Sequence, residues 1–104
     1  MIDERAVPRR SGELGRPCDW VVDFPDGTVA PDAPPGVVEL AGVARRLRAL
    51  TASEFTISGI ARTAGVHRTT VHDVLDGAIW IDTSTLARLE RAVGQVLWEL
   101  DGSQ

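Results

Sequence analysis

Residues Ile57 to Gly77 read ISGIARTAGVHRTTVHDVLDG, and this stretch decides the fold. Thr56, just before it, is a good N-cap: its hydroxyl can accept a hydrogen bond from an otherwise unpaired N–H of the first turn. A helix is expected from about Ile57 to Ala64, with Ile60, Ala61 and Ala64 on its inner face. Gly65 ends it, because glycine takes the left-handed conformation that a tight turn needs. A second helix is expected from about Arg68 to Asp76, with Val71, Val74 and Leu75 facing inward and Gly77 ending it in the same way. Ala61 stands where the two helices come closest, and a larger side chain would push them apart. Val66 plugs the corner between them. His67, Arg68, Thr69, Thr70, His72 and Asp73 are left outside, on the second helix.

The flanks agree with a helical domain. Upstream, Leu40, Val43, Leu47 and Leu50 fall on one helical face, with Arg45, Arg46 and Arg48 mostly off it. Thr51 to Phe55 breaks this pattern and is expected to be a connection, with Phe55 buried. Downstream, Ala78 to Ile81 is a loop whose Trp80 belongs to the core. Asp82 or Thr83 then caps a last helix, expected to reach about Leu100 on a stripe of Leu86, Leu89, Val93, Val96, Leu97 and Leu100. No proline follows Pro35, so nothing from residue 37 onward forbids helix.

All six prolines lie in the first 36 residues. Residues 1–17 are polar, lack hydrophobic periodicity and read as a disordered tail, whose Arg9 and Arg10 can reach a phosphate or a partner. Asp19 to Ala30, DWVVDFPDGTVA, alternates Trp20, Val22 and Phe24 with Val21 and Asp23, and then places turn residues Pro25-Asp26-Gly27. A short β-hairpin is expected, packed on the helices or paired with a second subunit, because a hairpin alone is marginal in water. Pro31 to Gly36 is a stiff connector. The expected organisation is a tail (1–17), a hairpin and connector (18–36), and a helical domain (37–104).

The stretch IARTAGVHRTTVHDVLDG, followed by TLARLERAVG, resembles the lambda-repressor-like helix-turn-helix domains, which include the Cro/Xre-type regulators and the LacI-type headpiece. Ala61, Gly65, Val66, Thr70, Val71, Val74, Leu75, Gly77, Thr85, Leu86 and Gly94 match the shared pattern in order and spacing. The resemblance runs from about Leu40 to Leu100, and the first 36 residues have no counterpart in it. It implies an all-α domain of four to five helices that binds double-stranded DNA, with the second motif helix in the major groove.

The resemblance also implies roles for residues. Arg68, Thr69, His72 and Asp73 would read bases. A guanidinium donates twice to guanine O6 and N7, and a threonine can touch a thymine methyl. Asp73 either accepts from a cytosine amino group or holds Arg68 in place. Thr56, Ser58, Arg62, His67 and Thr70 would meet phosphates, the first two at a helix N-terminus where N–H groups favour an anion. His67 stands where this family often has Ser or Thr. Ala61, Gly65, Val66, Val71 and Val74 pack the motif. Such small domains bind as homodimers on paired half-sites. Trp20 and Phe24 of the hairpin, or Trp98 and Leu100 of the last helix, are the candidate dimer contacts.

Composition bounds the alternatives. The 104 residues are 43% hydrophobic and 25% charged, an ordinary balance for one globular domain. The formal net charge of −4 speaks against nucleic acid at first sight. By segment the balance differs: between Arg45 and His72, five arginines stand against Glu54 alone, a local +4. All 11 basic residues are arginine, a usage that a GC-rich genome favours. There is no signal-like or membrane-spanning run, and the lone Cys18 has no disulfide partner, so a cytoplasmic, reducing location is expected. No metal or cofactor motif is present, and His67 and His72, about 140° apart on a helix, do not converge. Enzymatic activity is not expected. Two readings remain: a DNA-binding transcriptional regulator, most simply a repressor, or an antitoxin or adaptor that uses the fold on a partner protein, reached through residues 1–36.

Overall fold

A computed structural model describes residues 14–98 of the chain. Four α-helices carry the fold: α1 (Val37–Ser53), α2 (Ile57–Ala64), α3 (Arg68–Asp76) and α4 (Thr83–Val93). The class is all-α, with no extended strand among the described residues. None of these helices is long and apolar enough to cross a membrane.

The core lies where the inner faces meet. Val43, Leu47 and Leu50 of α1 pack with Ile60, Ala61 and Ala64 of α2, Val71, Val74 and Leu75 of α3, and Leu89 and Val93 of α4. α1 runs to Ser53, three residues further than the apolar pattern predicts. The hydroxyls of Thr51 and Ser53 donate back to the carbonyls of Arg48 and Ala49, so these polar residues continue the last turn. Phe55, expected to be buried, is half-buried against the core.

α4 is shorter than expected. Gly94 takes a left-handed conformation (φ 70°) and its N–H closes on Glu90, which ends the helix at Val93. Leu97 is nevertheless fully buried, because the segment after Gly94 is tied back. One Glu90 carboxylate oxygen accepts from the N–H groups of Leu97 (2.8 Å) and Trp98 (3.1 Å). Arg46 donates to the Leu97 carbonyl at 2.8 Å. Val96, counted in the apolar stripe, is left 64% exposed. Leu100 lies outside the described residues.

The expected hairpin is reduced to its smallest form, with no extended strand among the described residues. Pro17–Trp20 is a short 3₁₀ helix, and the chain then folds back through one antiparallel bridge, Val21 with Val29. Alternation fails because Trp20 and Val21 are both buried although they are neighbours, and Asp23 takes a positive φ (51°). Trp20, Val21 and Val37 form a second small core with Phe24, Val29, Ala30, Ala33 and Trp80. Two indoles fasten the incoming chain: Trp20 Nε1 donates to the Leu14 carbonyl at 2.9 Å, and Trp80 Nε1 to that of Gly15 at 2.7 Å.

Candidate functional site

The α2–α3 corner is built by its caps. The Thr56 hydroxyl accepts from the N–H of Gly59 at 2.9 Å, as an N-cap should. Gly65 is left-handed (φ 74°), and the N–H of Val66 reaches back to the Ala61 carbonyl at 3.0 Å. Ala61 is buried and Val66 half-buried against the core, while Val71 and Val74 are buried beneath α3. His67 occupies the N-cap position of α3 without a side-chain bond to the helix. No His67 side-chain bond caps the first N–H groups of α3, of which that of Thr70 donates to the His67 carbonyl at 3.0 Å.

Arg68, Thr69 and His72 are exposed and line one open groove with Thr56, Ile57 and Ser58 from the start of α2 and Thr51 and Phe55 from the end of α1. Three expected base readers and two expected phosphate contacts thus share one surface, with two helix N-termini opening into it. The other candidates stand apart from this groove. Arg62 and His67 are exposed elsewhere, and Thr70 and Asp73 are half-buried. Arg68 and Asp73 form no ion pair, because five helical residues turn them about 140° apart. Asp73 does not hold Arg68 in place. Among the described residues no three His, Cys, Asp or Glu side chains group as metal ligands.

The basic surface is smaller than the sequence suggests. Three of its five arginines are held by backbone carbonyls, although Arg45 and Arg48 stay exposed: Arg45 donates to Pro25 (2.9 Å), Arg46 to Leu97 (2.8 Å) and Arg48 to Leu75 (2.9 and 3.2 Å). Arg48 also approaches Asp76 at 3.7 Å. Arg88, from α4, does the same for the end of α2, with its Nη1 at 3.5 Å from the Ala64 carbonyl. Each of Arg48 and Arg88 serves the carbonyl end of a helix, where acceptors lack partners and a cation is favoured. Arg62 and Arg68 are the exposed arginines of the segment that make no such bond to a carbonyl. Sequence reasoning missed these structural arginines because their partners are carbonyls far away in the chain.

The candidate dimer contacts fare unequally. Trp20 is buried within its own chain, so it is not available to a second subunit. Phe24 is half-buried, with its ring over Gly77. Trp98 is half-buried and lines an apolar groove with Ile81, Leu86 and Val96. Cys18 is half-buried beside α3, and burial pushes its thiol above the ordinary cysteine range. The chain matches no protein-family profile, no curated protein and no solved structure.

Proposed function

We propose that the chain is a sequence-specific DNA-binding protein of the lambda-repressor-like helix-turn-helix type, acting in the cytoplasm as a transcriptional repressor and not as an enzyme. In this reading α3 enters the major groove. Arg68 and Thr69 meet base edges, and His72 lies one turn further along the same side. Thr56 and Ser58 receive the phosphates that flank the groove, aided by the N–H groups at the start of α2. The observation that carries the reading is the single surface shared by Thr56, Ser58, Arg68, Thr69 and His72.

Two subunits would place two copies of α3 on half-sites about 34–36 Å apart. Pairing also doubles the phosphate contacts that each subunit makes, which a chain of net charge −4 needs for affinity. The test is selection from a random duplex library at low salt, followed by gel shift on the selected duplex. The expected result is a salt-sensitive complex with a two-fold related consensus. A folded protein that binds no duplex at low salt overturns the reading.

A second reading, an antitoxin or adaptor that uses the same fold to bind a partner protein, is favoured by one observation. Arg45, Arg46 and Arg48 are committed to carbonyls of the chain itself, which thins the basic footprint. A folded protein that ignores DNA but retains a partner protein, and loses it when residues 1–36 are removed, would select this reading.

A further inference from the structure

The chain before α1 closes on the carbonyl end of α3. The backbone N–H of Cys18 donates to the Gly77 carbonyl at 2.9 Å. The Phe24 ring lies so close over Gly77 that a Cβ there would come within 2.8 Å of it. The same segment is anchored at two further points away from α3: Trp80 holds the Gly15 carbonyl, and Arg45 of α1 holds that of Pro25. α3 has only nine residues, too short to hold its own geometry in water, so its pose is set by what grips it. Its inner face is gripped by the core. Its carbonyl end is gripped by this segment.

We infer that residues 14–30 are a positioning strap for α3: they fix the angle at which Arg68 and Thr69 are presented and thereby govern sequence discrimination, without touching DNA. The inference rests on the DNA-binding reading. Base contacts demand placement of donors to within a fraction of an ångström, whereas phosphate contacts tolerate small shifts. Loosening the strap should therefore lower affinity for the preferred sequence more than affinity for any other.

The experiment compares full-length wild type with the Phe24→Ala/Arg45→Gln variant, neither position lying in the proposed DNA contact surface. Affinity is measured for the selected duplex and for a scrambled duplex of the same composition. The expected result is a roughly tenfold fall in the ratio of the two affinities, with scrambled-duplex affinity within about twofold of wild type. An intact helical spectrum accompanies it. Phe24→Leu, which keeps most of the apolar volume, serves if the double variant does not fold, and its ratio should fall by about threefold. An unchanged ratio, or equal losses on both duplexes, overturns the strap while leaving DNA binding intact. Wild type that binds neither duplex overturns the DNA reading, and the strap's role with it.

Discussion

The Arg48 guanidinium donates to the Leu75 carbonyl oxygen from two nitrogens, Nη2 at 2.9 Å and Nε at 3.2 Å. Leu75 is in the last turn of α3, where the helix itself offers no further donor. A residue of α1 thus completes α3. Arg48→Ala removes both donors and one packing stem. It should cost about 1–2 kcal/mol, at the lower end for a charge-assisted bond because the Arg48 side chain is 46% exposed. Lysine restores the charge but not the two-nitrogen fork, so Arg48→Lys should recover only part. Urea denaturation of the three proteins checks this, and an unchanged midpoint for Arg48→Ala would refute it.

Gly77 and Gly94 share a φ of 70° and differ in surroundings. An alanine at 94 meets nothing within 4 Å, so Gly94→Ala should show only the left-handed penalty of about 1–2 kcal/mol. At 77 the new Cβ would also strike the Phe24 ring. Gly77→Ala should therefore be the more destabilising by a further ~1 kcal/mol or more. Adding Phe24→Ala to Gly77→Ala should cost less than the two separate losses together. A double-mutant cycle by thermal or chemical denaturation reads the difference directly, and strict additivity would count against the contact.

The α2–α3 unit was legible because its signals are local. Thr56 caps within three residues, Gly65 and Gly77 mark helix ends by their own backbone freedom, and Ile60, Ala61, Val71 and Val74 follow one helical period. The end of α4 was misread because Val96 and Leu97 prolong the apolar stripe past Gly94, and a stripe does not say whether the backbone beneath it is helical. The expected hairpin is reduced to one antiparallel bridge, Val21 with Val29, because alternation over Trp20 to Phe24 ignores the burial of both Trp20 and Val21. The arginines were least legible. Whether Arg46 faces solvent or Leu97, 51 residues away, is decided by tertiary structure alone. At position 48 arginine has a physical use, since its planar fork reaches the Leu75 carbonyl from two nitrogens, which a lysine ammonium cannot do.

Asp82 caps α4 by accepting from the N–H of Thr85 at 2.6 Å. That bond, with a lesser contribution from the Thr85 side chain, holds the Asp82 carboxyl below its usual range. The lowered folded pKa means that the cap's stabilisation is present above the ordinary carboxylate pKa and is lost as pH falls through the folded value. Asp82→Ala should lower the Tm at neutral pH, and the gap to wild type should narrow in acid. Asp82→Asn, which caps without titrating, should show a flatter dependence. Melting curves from neutral to acid pH test the crossing, and a gap that stays constant over that range would contradict it.

Under the proposed DNA-binding role, Arg68 and Arg62 make opposite predictions. Arg68 lies in the groove with Thr69 and His72, whereas Arg62 is exposed in the last turn of α2, outside it. Arg68→Ala should cost about 1–3 kcal/mol on the preferred duplex and relax preference at one base position. Arg62→Ala should weaken all duplexes alike and reduce the salt slope by about 1 per subunit. Selection repeated with each variant distinguishes them: a consensus unchanged by Arg68→Ala would remove Arg68 from the base-reading role.

Salt dependence measures how many arginines reach the phosphates. Each neutralised phosphate contributes about −0.9 to the slope of log K against log salt. If all five arginines between Arg45 and His72 met DNA, the slope would be about −4.5 per subunit. Arg45, Arg46 and Arg48 are instead committed to the carbonyls of Pro25, Leu97 and Leu75. With Arg68 on base edges, Arg62 alone predicts about −1 per subunit, or about −2 for a dimer. Arg46→Gln should leave that slope unchanged while lowering stability, because its bond is to Leu97 and not to DNA. A titration over 50 to about 200 mM salt spans the range in which these slopes separate. A dimer slope near −9 would mean that Arg45, Arg46, Arg48 and Arg68 neutralise phosphates as well.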